Sequence, residues 1–374
     1  MAKLPELCEI QYGYAFDSAC FTENNTYLPL VRIRDVKRGY SETFYSGNYP
    51  SDYVIDSGSL LVGMDGEFNI ARWKGGHALL NQRVCKITAK ENVNEEYIRF
   101  ALSKALKEIE NRTAFVTVKH LSAKELNQLE IDVPNYTTQT DIAKVLTQIE
   151  SIISARQQQL QKLDELVKAR FVEMFGTYPI NPMGWETGTI RDIIADIRYG
   201  SSRPAVDGGK YPYLRMNNIT YGGELDLSET KRIDIPDNEL DKCTVQRGDV
   251  LFNRTNSKEL VGKTCVYNRD EPMVLAGFVI RVRITERVLS EFLSAFLNAD
   301  FSKQLLFSMC KSAIGQANIN AQEMQNIGIY FPPIELQREF VQFKEQVNKT
   351  KAAVQKAIDE AQLLFDSLMQ KYFR

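Results

Sequence analysis

The most regular pattern of hydrophobic and polar positions lies at the centre of the chain, over residues 139–175. Apolar side chains recur there every three or four residues, and no proline or glycine occurs before Gly176. This spacing predicts one long amphipathic helix with a single apolar stripe. At about 1.5 Å per residue the helix would be roughly 55 Å long, which exceeds the usual length of helices in globular proteins.

A second stretch with the same spacing covers residues 337–372. A long helix with one apolar stripe needs a partner to bury that stripe, so the two stretches predict a coiled-coil pair. Two helices of an ordinary bundle are the alternative interpretation. The sequence between the two stretches favours the coiled-coil pair.

That sequence repeats the part of the chain before the first long helix. Both copies contain a Tyr-Gly pair near their start, an arginine after an early apolar run, and a glutamine before the long helix. The offset between matching stretches drifts from 183 to 198 residues while their order stays constant, as expected of a duplication with loop insertions. The matching stretches are 7–13 with 194–200, 28–36 with 211–219, 56–61 with 246–251, 119–126 with 317–324, and 131–134 with 329–332.

Each copy has the pattern of a mixed α and β domain. Short apolar runs bounded by turns predict strands at 28–33, 59–64 and 83–88, and at 214–216, 250–253 and 279–284. One helix is predicted late in each copy, at 95–111 and at 289–310. The predicted fold class is α+β, with tandem domains at 1–137 and 178–334, each followed by a long helix at 138–177 and 335–374.

Composition places the chain among ordinary globular proteins, with 44% hydrophobic and 25% charged residues. None of the four predicted segments is basic, since their net formal charges are −2, 0, −1 and +1. A strongly basic domain would indicate DNA directly. Charge alone therefore leaves nucleic acid open as a partner, provided that the basic groups gather on one face.

The six cysteines are scattered and the chain has only two histidines, so we expect no metal site and a reducing compartment. No apolar run of signal-peptide or membrane-spanning length occurs, which predicts a cytoplasmic protein with no membrane partner.

Catalytic motifs are absent from the sequence. The segment Val261-Gly-Lys-Thr264 ends like a phosphate-binding loop, but the first glycine of that motif is replaced by Ser257. Nucleophile-elbow, zinc-protease and dinucleotide-binding patterns do not occur. We therefore expect a non-catalytic chain with no catalytic residues and no cofactor of its own.

Polar and basic side chains cluster instead in corresponding loops of the two copies. Arginine, asparagine, glutamine and lysine can bind base edges and phosphates, although any one of them can equally be an ordinary solvated loop residue. The candidate DNA-binding residues are Arg32, Arg34, Lys37, Arg38, Asn69, Arg72, Lys74, Lys119 and His120 in the first copy. In the second copy they are Arg198, Tyr199, Ser201, Ser202, Arg203, Arg215, Asn217, Asn218, Arg254, Asn256, Lys258, Gln316, Asn318 and Asn320.

These features together resemble the DNA-specificity subunits of type I restriction–modification systems. The resemblance rests on the duplication, on Gly-Asp-Val-Leu at 248–251, and on Pro332-Pro333 followed by Gln337 before the second long helix. It covers essentially the whole chain. The first copy departs from it, because Asn135 replaces the second proline and Gly58 is followed by a serine.

The resemblance implies that each copy is a target-recognition domain for one half of a split, asymmetric sequence in double-stranded DNA. It implies that the long helices pack antiparallel, hold the domains apart, and dock two methyltransferase subunits and the restriction subunits. S-adenosylmethionine, ATP and magnesium would belong to those partners. The residues expected at the subunit interface are Leu160, Leu163, Leu166, Phe171, Val354, Ile358, Leu364 and Leu368.

Three alternatives stay open on the sequence alone. The chain could be a coiled-coil scaffold whose two domains bind protein or carbohydrate. It could also serve a system that methylates without cleaving, because the nuclease would be another chain. A truncated or recombined subunit is disfavoured by the presence of two complete copies.

Overall fold

A computed structural model describes residues 1–112, 120–310 and 317–373. The chain divides into two compact units, Met1–Arg156 with Lys356–Arg374, and Gln157–Gln355. Each unit therefore contains one globular copy together with part of each long helix. Within the described ranges, no helix is both long enough and apolar enough to cross a membrane.

The first copy is built from short strands with four helices around them. Its strands are β1 (Ala2–Lys3), β2 (Cys8–Tyr12), β3 (Phe21–Thr22), β4 (Leu28–Val31), β5 (Phe44–Tyr45), β6 (Val54–Ile55), β7 (Leu60–Gly63), β8 (Ile70–Arg72), β9 (Ala78–Leu80), β10 (Val84–Ala89) and β11 (Glu130–Ile131). Its helices are α1 (Leu4–Leu7), α2 (Ile33–Arg38), α3 (Glu95–Arg112) and α4 (Ala123–Gln128), and the first long helix follows as α5 (Tyr136–Phe175).

The second copy follows the same plan. Its strands are β12 (Glu186–Thr189), β13 (Ile194–Tyr199), β14 (Tyr211–Leu214), β15 (Lys231–Ile233), β16 (Thr244–Val245), β17 (Val250–Asn253), β18 (Thr255–Asn256), β19 (Thr264–Val266), β20 (Met273–Leu275), β21 (Val279–Ile284), β22 (Ala317–Asn318) and β23 (Gly328–Phe331). Its helices are α6 (Asp237–Cys243), α7 (Ser290–Asn298), α8 (Asp300–Met309) and α9 (Ala321–Gln325), and the second long helix is α10 (Ile334–Tyr372).

Sheet topology shows that the two copies share one fold. Strand order β2-β10-β7-β8 in the first copy matches β13-β21-β17-β19 in the second. A second sheet contains one parallel pair in each copy, β4 with β9 and β14 with β20. The duplication read from the sequence is thus confirmed in the arrangement of the strands.

The Tyr-Gly pairs occupy equivalent positions where the chain leaves β2 and β13. A Cβ atom built on Gly13 would lie 2.1 Å from the carbonyl oxygen of Asn81. A Cβ atom on Gly200 would lie 2.2 Å from the carbonyl oxygen of Leu275. Only glycine allows this close approach of two backbones, which explains why the pair recurs in both copies.

Short helices near the end of each copy begin with matching caps. The hydroxyl of Ser122 accepts a hydrogen bond from the backbone N–H of Glu125 at 3.1 Å, before α4. The side-chain oxygen of Asn320 accepts one from the N–H of Glu323 at 2.9 Å, before α9. This capping box satisfies the first unpaired donors of each helix and was visible in the sequence as two aligned stretches.

The two long helices, of 40 and 39 residues, contribute to the core of the unit in which each part lies. In the second unit the rings of Phe171 and Phe340 lie 5.3 Å apart, and Lys351 binds Asp164 at 2.7 Å. Residue numbers thus rise along α5 as they fall along α10, so these segments run antiparallel. In the first unit Leu146 shares a core with Phe365 and Leu368.

Three local predictions were wrong. The single helix expected at 289–310 is two helices, because Ala299 is extended, with a ψ of 148°, between α7 and α8. The strand expected at 28–33 ends at Val31, and the following basic residues form the helical turn α2. The strand expected at 214–216 lies earlier, as β14, and ends at Leu214, because residues Met216–Asn218 form a 3₁₀ turn. All six cysteines are free thiols, and five of them are buried.

Candidate nucleic-acid interface

Six candidate residues of the second copy lie around one cavity of about 460 Å³. The cavity lies at the carboxyl ends of the parallel strands β14 and β20, the position at which many mixed folds bind ligands. We call it the Arg254 pocket. The candidate residues that line it are Ser201, Ser202, Arg203, Arg215, Asn217 and Arg254.

Arg254 follows β17 and stacks on Tyr199, with its guanidinium carbon 4.8 Å from the centre of the ring. The Tyr199 hydroxyl accepts a hydrogen bond from the backbone N–H of Ala321 at 2.9 Å, which holds the ring in place. The Nε atom of Arg254 is buried and has no hydrogen-bond partner among the described residues. Stacking thus positions this side chain, while its Nε donor has no acceptor in the described part of the chain.

The other two arginines of the Arg254 pocket differ in their partners. Arg203 donates to both carboxylate oxygens of Glu239, at 3.3 and 2.7 Å, and this hydrogen bonding raises the pKa of Arg203. Arg215 is the N-cap residue of the turn Met216–Asn218, and its Nε is buried without a hydrogen-bond partner in the described part of the chain. Two guanidinium groups of the pocket are therefore free to bind negative charge or hydrogen-bond acceptors.

The remaining candidates of the second copy have mixed environments. Asn218 is buried and bonds within its own loop, donating to the carbonyl oxygen of Asp226 at 2.8 Å. The Asn320 side chain caps α9. Both residues therefore shape the loops around the site.

Four further residues are held by neighbours in the second copy. Arg198 is paired with Asp196 at 2.9 Å, and the Lys258 ammonium lies 4.4 Å from the centre of the Phe307 ring. Asn256 and Asn318 lie on the short strand pair of β18 and β22. Gln316 lies outside the described residues.

In the first copy, α2 presents three basic side chains at the surface. Arg34, Lys37 and Arg38 are exposed, and the ion pairs that they form among the described residues are long, at 3.8–4.0 Å. Arg34 also donates to the Thr43 hydroxyl at 3.4 Å. Arg32 is the N-cap residue of the same helix and, like Arg215, has a buried Nε with no hydrogen-bond partner among the described residues. Exposed, weakly paired cations on one short helix suit contacts to phosphate groups.

Three other candidates of the first copy are engaged within it. Arg72 binds Glu95 at 2.8 Å and also binds Glu96, so its guanidinium is used inside the domain. The backbone carbonyl of Asn69 accepts from the N–H of Gly63 at 2.8 Å. The methylene stem of Lys74 covers Gly39, where a Cβ atom would lie 2.9 Å from the lysine Cγ.

His120 lies in a polar cluster with Asp65 and Arg83. Its ring is hydrogen-bonded to Asp65, and the Nη1 atom of Arg83 lies 3.3 Å from both ring nitrogens. Arg83 also binds Asp65 at 3.5 Å. Lys119, the neighbouring candidate, lies outside the described residues.

Matching backbone hydrogen bonds place Met64 of the first copy at the position of Arg254 in the second. The N–H of Met64 donates to the carbonyl of Arg83 at 2.8 Å, and that of Arg254 to the carbonyl of Phe278 at 3.0 Å. The carbonyl oxygens of these two residues also accept matching hydrogen bonds. Each bond comes from a backbone N–H just before the short helix α4 or α9, at 2.7 Å for Met64 and 2.9 Å for Arg254. One backbone position therefore carries a methionine in one copy and a stacked arginine in the other.

Both copies match one family model. The model is described as the type I restriction modification DNA specificity domain, and it covers residues 1–165 and 182–362. The chain belongs to the type I restriction–modification DNA-specificity family. The resemblance seen in the sequence is thereby confirmed.

Relatives of this specificity subunit match along most of their length. The EcoBI specificity subunit of Escherichia coli is 27% identical over 99% of this chain and 84% of its own. The EcoKI specificity subunit of Escherichia coli K12 is 20% identical over 93% of this chain and 82% of its own. The solved specificity subunit of M. genitalium shares the fold, with a TM-score of 0.56 at 14% identity, over 100% of this chain and 95% of its own.

A second solved structure has the same fold. That structure is described as concerning complex assembly and conformational transition of a type I restriction–modification system. It aligns with a TM-score of 0.57 at 18% identity, over 100% of this chain and 97% of its own. The predicted fold class is therefore confirmed.

The expected docking residues of this specificity subunit differ in exposure. Leu166 and Leu364 are 47% and 51% exposed, whereas Phe171 is enclosed by Phe175 and Phe340. Leu160, Leu163 and Leu368 are half-buried, and Val354 and Ile358 are buried in the chain itself. Exposed neighbours that the sequence reading did not select include Ile152 and Leu363.

Sequence reasoning missed Arg83, Asp65 and Phe278. Arg83 and Phe278 occupy the same turn in the two copies, and Phe278 lines the Arg254 pocket with 52% of its surface exposed. The signal that could have found them is their position after the aligned runs 78–80 and 273–275. Because those runs are weakly similar in sequence, the alignment becomes apparent only from the paired strands.

Proposed function

We propose that this chain supplies the DNA recognition of a type I restriction–modification complex with separate methyltransferase and restriction subunits. Each globular copy reads one half of a bipartite, asymmetric sequence in double-stranded DNA. The long helices dock two methyltransferase subunits and the restriction subunits. The chain itself forms and breaks no bond.

Chemistry in this proposal belongs to the partner chains. The methyltransferase supplies S-adenosylmethionine and receives an adenine that is flipped out of the helix. The restriction subunits supply ATP and magnesium. The contribution of this chain is to place those activities at one DNA sequence.

The observation that carries the proposal is one backbone frame with different side chains at equivalent positions. Met64 and Arg254 make the same backbone hydrogen bonds, yet only Arg254 offers donors to a base edge. Two copies that share a frame and differ in such side chains fit a target whose two halves differ in sequence.

Basic side chains support contact with the DNA backbone despite the formal net charge of −2. In the first copy, α2 exposes Arg34, Lys37 and Arg38, and their long ion pairs leave them available. Such contacts set affinity and register rather than sequence preference. Partner subunits would share the remaining phosphate contacts in the assembled complex.

Exposed leucines support docking on the long helices. Leu363 and Leu364 on α10 are 73% and 51% exposed, although both side chains are large and apolar. Leu166 on α5 is exposed to a similar extent. Adjacent exposed apolar residues on a helix are a common feature of protein interfaces.

Co-expression with the cognate methyltransferase tests the proposal. N6-methyladenine is mapped across the host genome by single-molecule sequencing, with and without this chain. The expected result is a new motif with two specified parts separated by a fixed number of unspecified base pairs. A stable complex is expected to co-purify from the same cells.

Two outcomes would contradict the proposal. A motif with one continuous specified block would contradict the division of labour between the copies. No complex and no methylation, with a methyltransferase that is active beside another specificity subunit, would favour the coiled-coil scaffold. Loss of phage plating on cells that also carry the restriction subunit distinguishes a restricting system from one that only methylates.

A further inference from the structure

We propose that the Arg254 pocket reads a guanine, so that the half-site bound by the second copy contains a G–C pair recognised through Arg254. This inference rests on the proposed function and deepens it. It assigns one base type to one copy and one side chain.

The charge of the Arg254 pocket supports a ligand that only accepts hydrogen bonds. Glu239 neutralises Arg203 through two hydrogen bonds. Arg215 and Arg254 have no carboxylate partner in the described part of the chain, and the Nε of each is buried without an acceptor. A pocket with two such guanidinium groups disfavours any ligand group that itself donates.

Base chemistry then separates guanine from the other three bases. In the major groove guanine presents two acceptors, O6 and N7, which match the two parallel donors of an arginine fork. Adenine presents a donor beside its acceptor, cytosine presents a donor, and thymine offers one acceptor beside a methyl group. Arginine has donors only, so adenine and cytosine would each set a donor against a donor.

The geometry of Arg254 makes it the reader. Its guanidinium is stacked 4.8 Å from the Tyr199 ring, and that ring is fixed through the N–H of Ala321. A side chain that is already held in place loses less conformational entropy when it binds. Tyr199 is accordingly a positioning residue for Arg254.

The first copy shows which residue can replace Arg254 without disturbing the backbone. Met64 occupies the equivalent backbone position with the same hydrogen bonds, so a methionine is compatible with this backbone. Arg254→Met thus removes the guanidinium from a frame that tolerates methionine. Arg254→Lys retains the positive charge and removes the fork.

The experiment uses the complex of this chain with the methyltransferase and duplexes that carry the mapped motif. Each guanine of the second half-site is replaced in turn by 7-deazaguanine, which lacks N7. Wild-type complex is expected to lose roughly 5- to 150-fold in affinity at one position. Arg254→Met is expected to show no loss there, and its genomic methylation motif is expected to accept other bases at that position alone. Arg254→Lys can still donate to N7 or O6 from its single ammonium group, so it is expected to show a smaller loss than wild type.

Three results would overturn the inference while leaving the proposed function intact. One is a second half-site with no guanine or cytosine. Another is an unchanged motif in Arg254→Met. The third is a uniform loss of affinity in Arg254→Met with a salt dependence reduced by about one phosphate contact, which would make Arg254 a backbone contact.

Two controls make these results specific. Arg247→Met removes an exposed arginine that is paired with Asp270 at 2.7 Å, and its motif is expected to stay unchanged. Tyr199→Leu removes the stacking ring and should lose discrimination partly. If Tyr199→Leu retained full discrimination while Arg254→Met lost it, the positioning role of Tyr199 would be rejected.

Discussion

The side chain of Gln337 accepts a hydrogen bond from the backbone N–H of Leu289 at 2.8 Å. Its amide nitrogen donates to the carbonyl of Pro332 at 2.8 Å, so one buried side chain links the start of α10 to the start of α7. Gln139 makes the same two contacts in the first copy, to Asn94 at 2.9 Å and Pro134 at 2.8 Å. The glutamines aligned in the sequence are thus the attachment points of the long helices.

Gln337→Ala is expected to lower the free energy of unfolding of the second unit by about 1–3 kcal/mol, because it leaves a buried donor and acceptor without partners. Thermal unfolding of the purified chain measures the effect. Gln346→Ala, at an exposed position on the same helix, is the matched control and should be nearly neutral. Equal effects of the two variants would contradict the attachment role of Gln337.

Gly200→Ala is expected to destabilise the second copy by at least about 1–3 kcal/mol, because the new methyl group would overlap the carbonyls of Leu275 and Ala276. Gly222→Ala is the control, since its nearest neighbour would be 3.9 Å away. Calorimetry of both variants compares them. A Gly200→Ala protein as stable as Gly222→Ala would show that the close backbone approach is not required.

Much of the fold was predictable because the sequence contains two copies of one domain. Aligned features such as Gln139 with Gln337 and Gly13 with Gly200 have structural reasons that act in both copies. The break at Ala299 was not predictable, because the apolar spacing of residues 289–310 continues through it. The break accompanies a tertiary contact, in which the side chain of Asn298 donates to the carbonyl of Thr264 at 2.6 Å.

Lys303 predicts a pH dependence of stability in the second unit. Burial, assisted by the charges of Lys168 and Lys263, lowers the pKa of Lys303 from 10.5 to about 7. Between those values the unfolded chain binds more protons than the folded chain, so the free energy of unfolding due to this group rises with pH. The destabilisation is complete below about pH 7 and fades towards about pH 10.

Lys303→Met tests the direction of this pH dependence. The variant is expected to be more stable than wild type near pH 6, and the difference should shrink as the pH rises towards 10. Melting temperatures measured across that range check the expectation, with the exposed Lys242→Met as the control for general charge effects. A difference that grows with pH would contradict the assignment.

Docking of the methyltransferase is expected to depend on exposed leucines of α10. Leu363→Asp combined with Leu364→Asp should prevent co-purification of the methyltransferase while circular dichroism stays unchanged, because charges replace exposed apolar groups. Gln370→Asp adds a charge at an exposed position of the same helix and should retain the complex. Retained binding in the double variant would place the docking surface elsewhere.

Phe171→Ala is expected to lower the stability of the chain, unlike the exposed leucine variants, which are expected to affect docking. Its ring packs between Phe292 and Phe340, so truncation is expected to destabilise the unit by about 3–5 kcal/mol. The expected sign is a lower melting temperature of the isolated chain. A stable Phe171→Ala chain that no longer binds the methyltransferase would instead assign Phe171 to the partner surface.

The candidate site was predictable only in part. Arg254 follows a recognisable strand, so its loop could be selected from the sequence, whereas the strand expected at 214–216 included Arg215, which lies after β14. Phe278 and Arg83 could not be selected, because their turns are positioned by parallel pairing of strands that lie about sixty residues apart in the second copy and about fifty apart in the first. Asn218 illustrates the opposite case, since a polar loop residue can be buried and bonded within the fold.

The central claim is that each copy specifies its own half of one bipartite target. Genome-wide mapping of N6-methyladenine, performed for wild type, Arg254→Met and a triple alanine variant of Arg34, Lys37 and Arg38, tests it most directly. We expect Arg254→Met to relax one position in one half of the motif and leave the other half intact. The triple variant should lower methylation at every site without altering the motif. A motif that changes in both halves with Arg254→Met alone would contradict the claim.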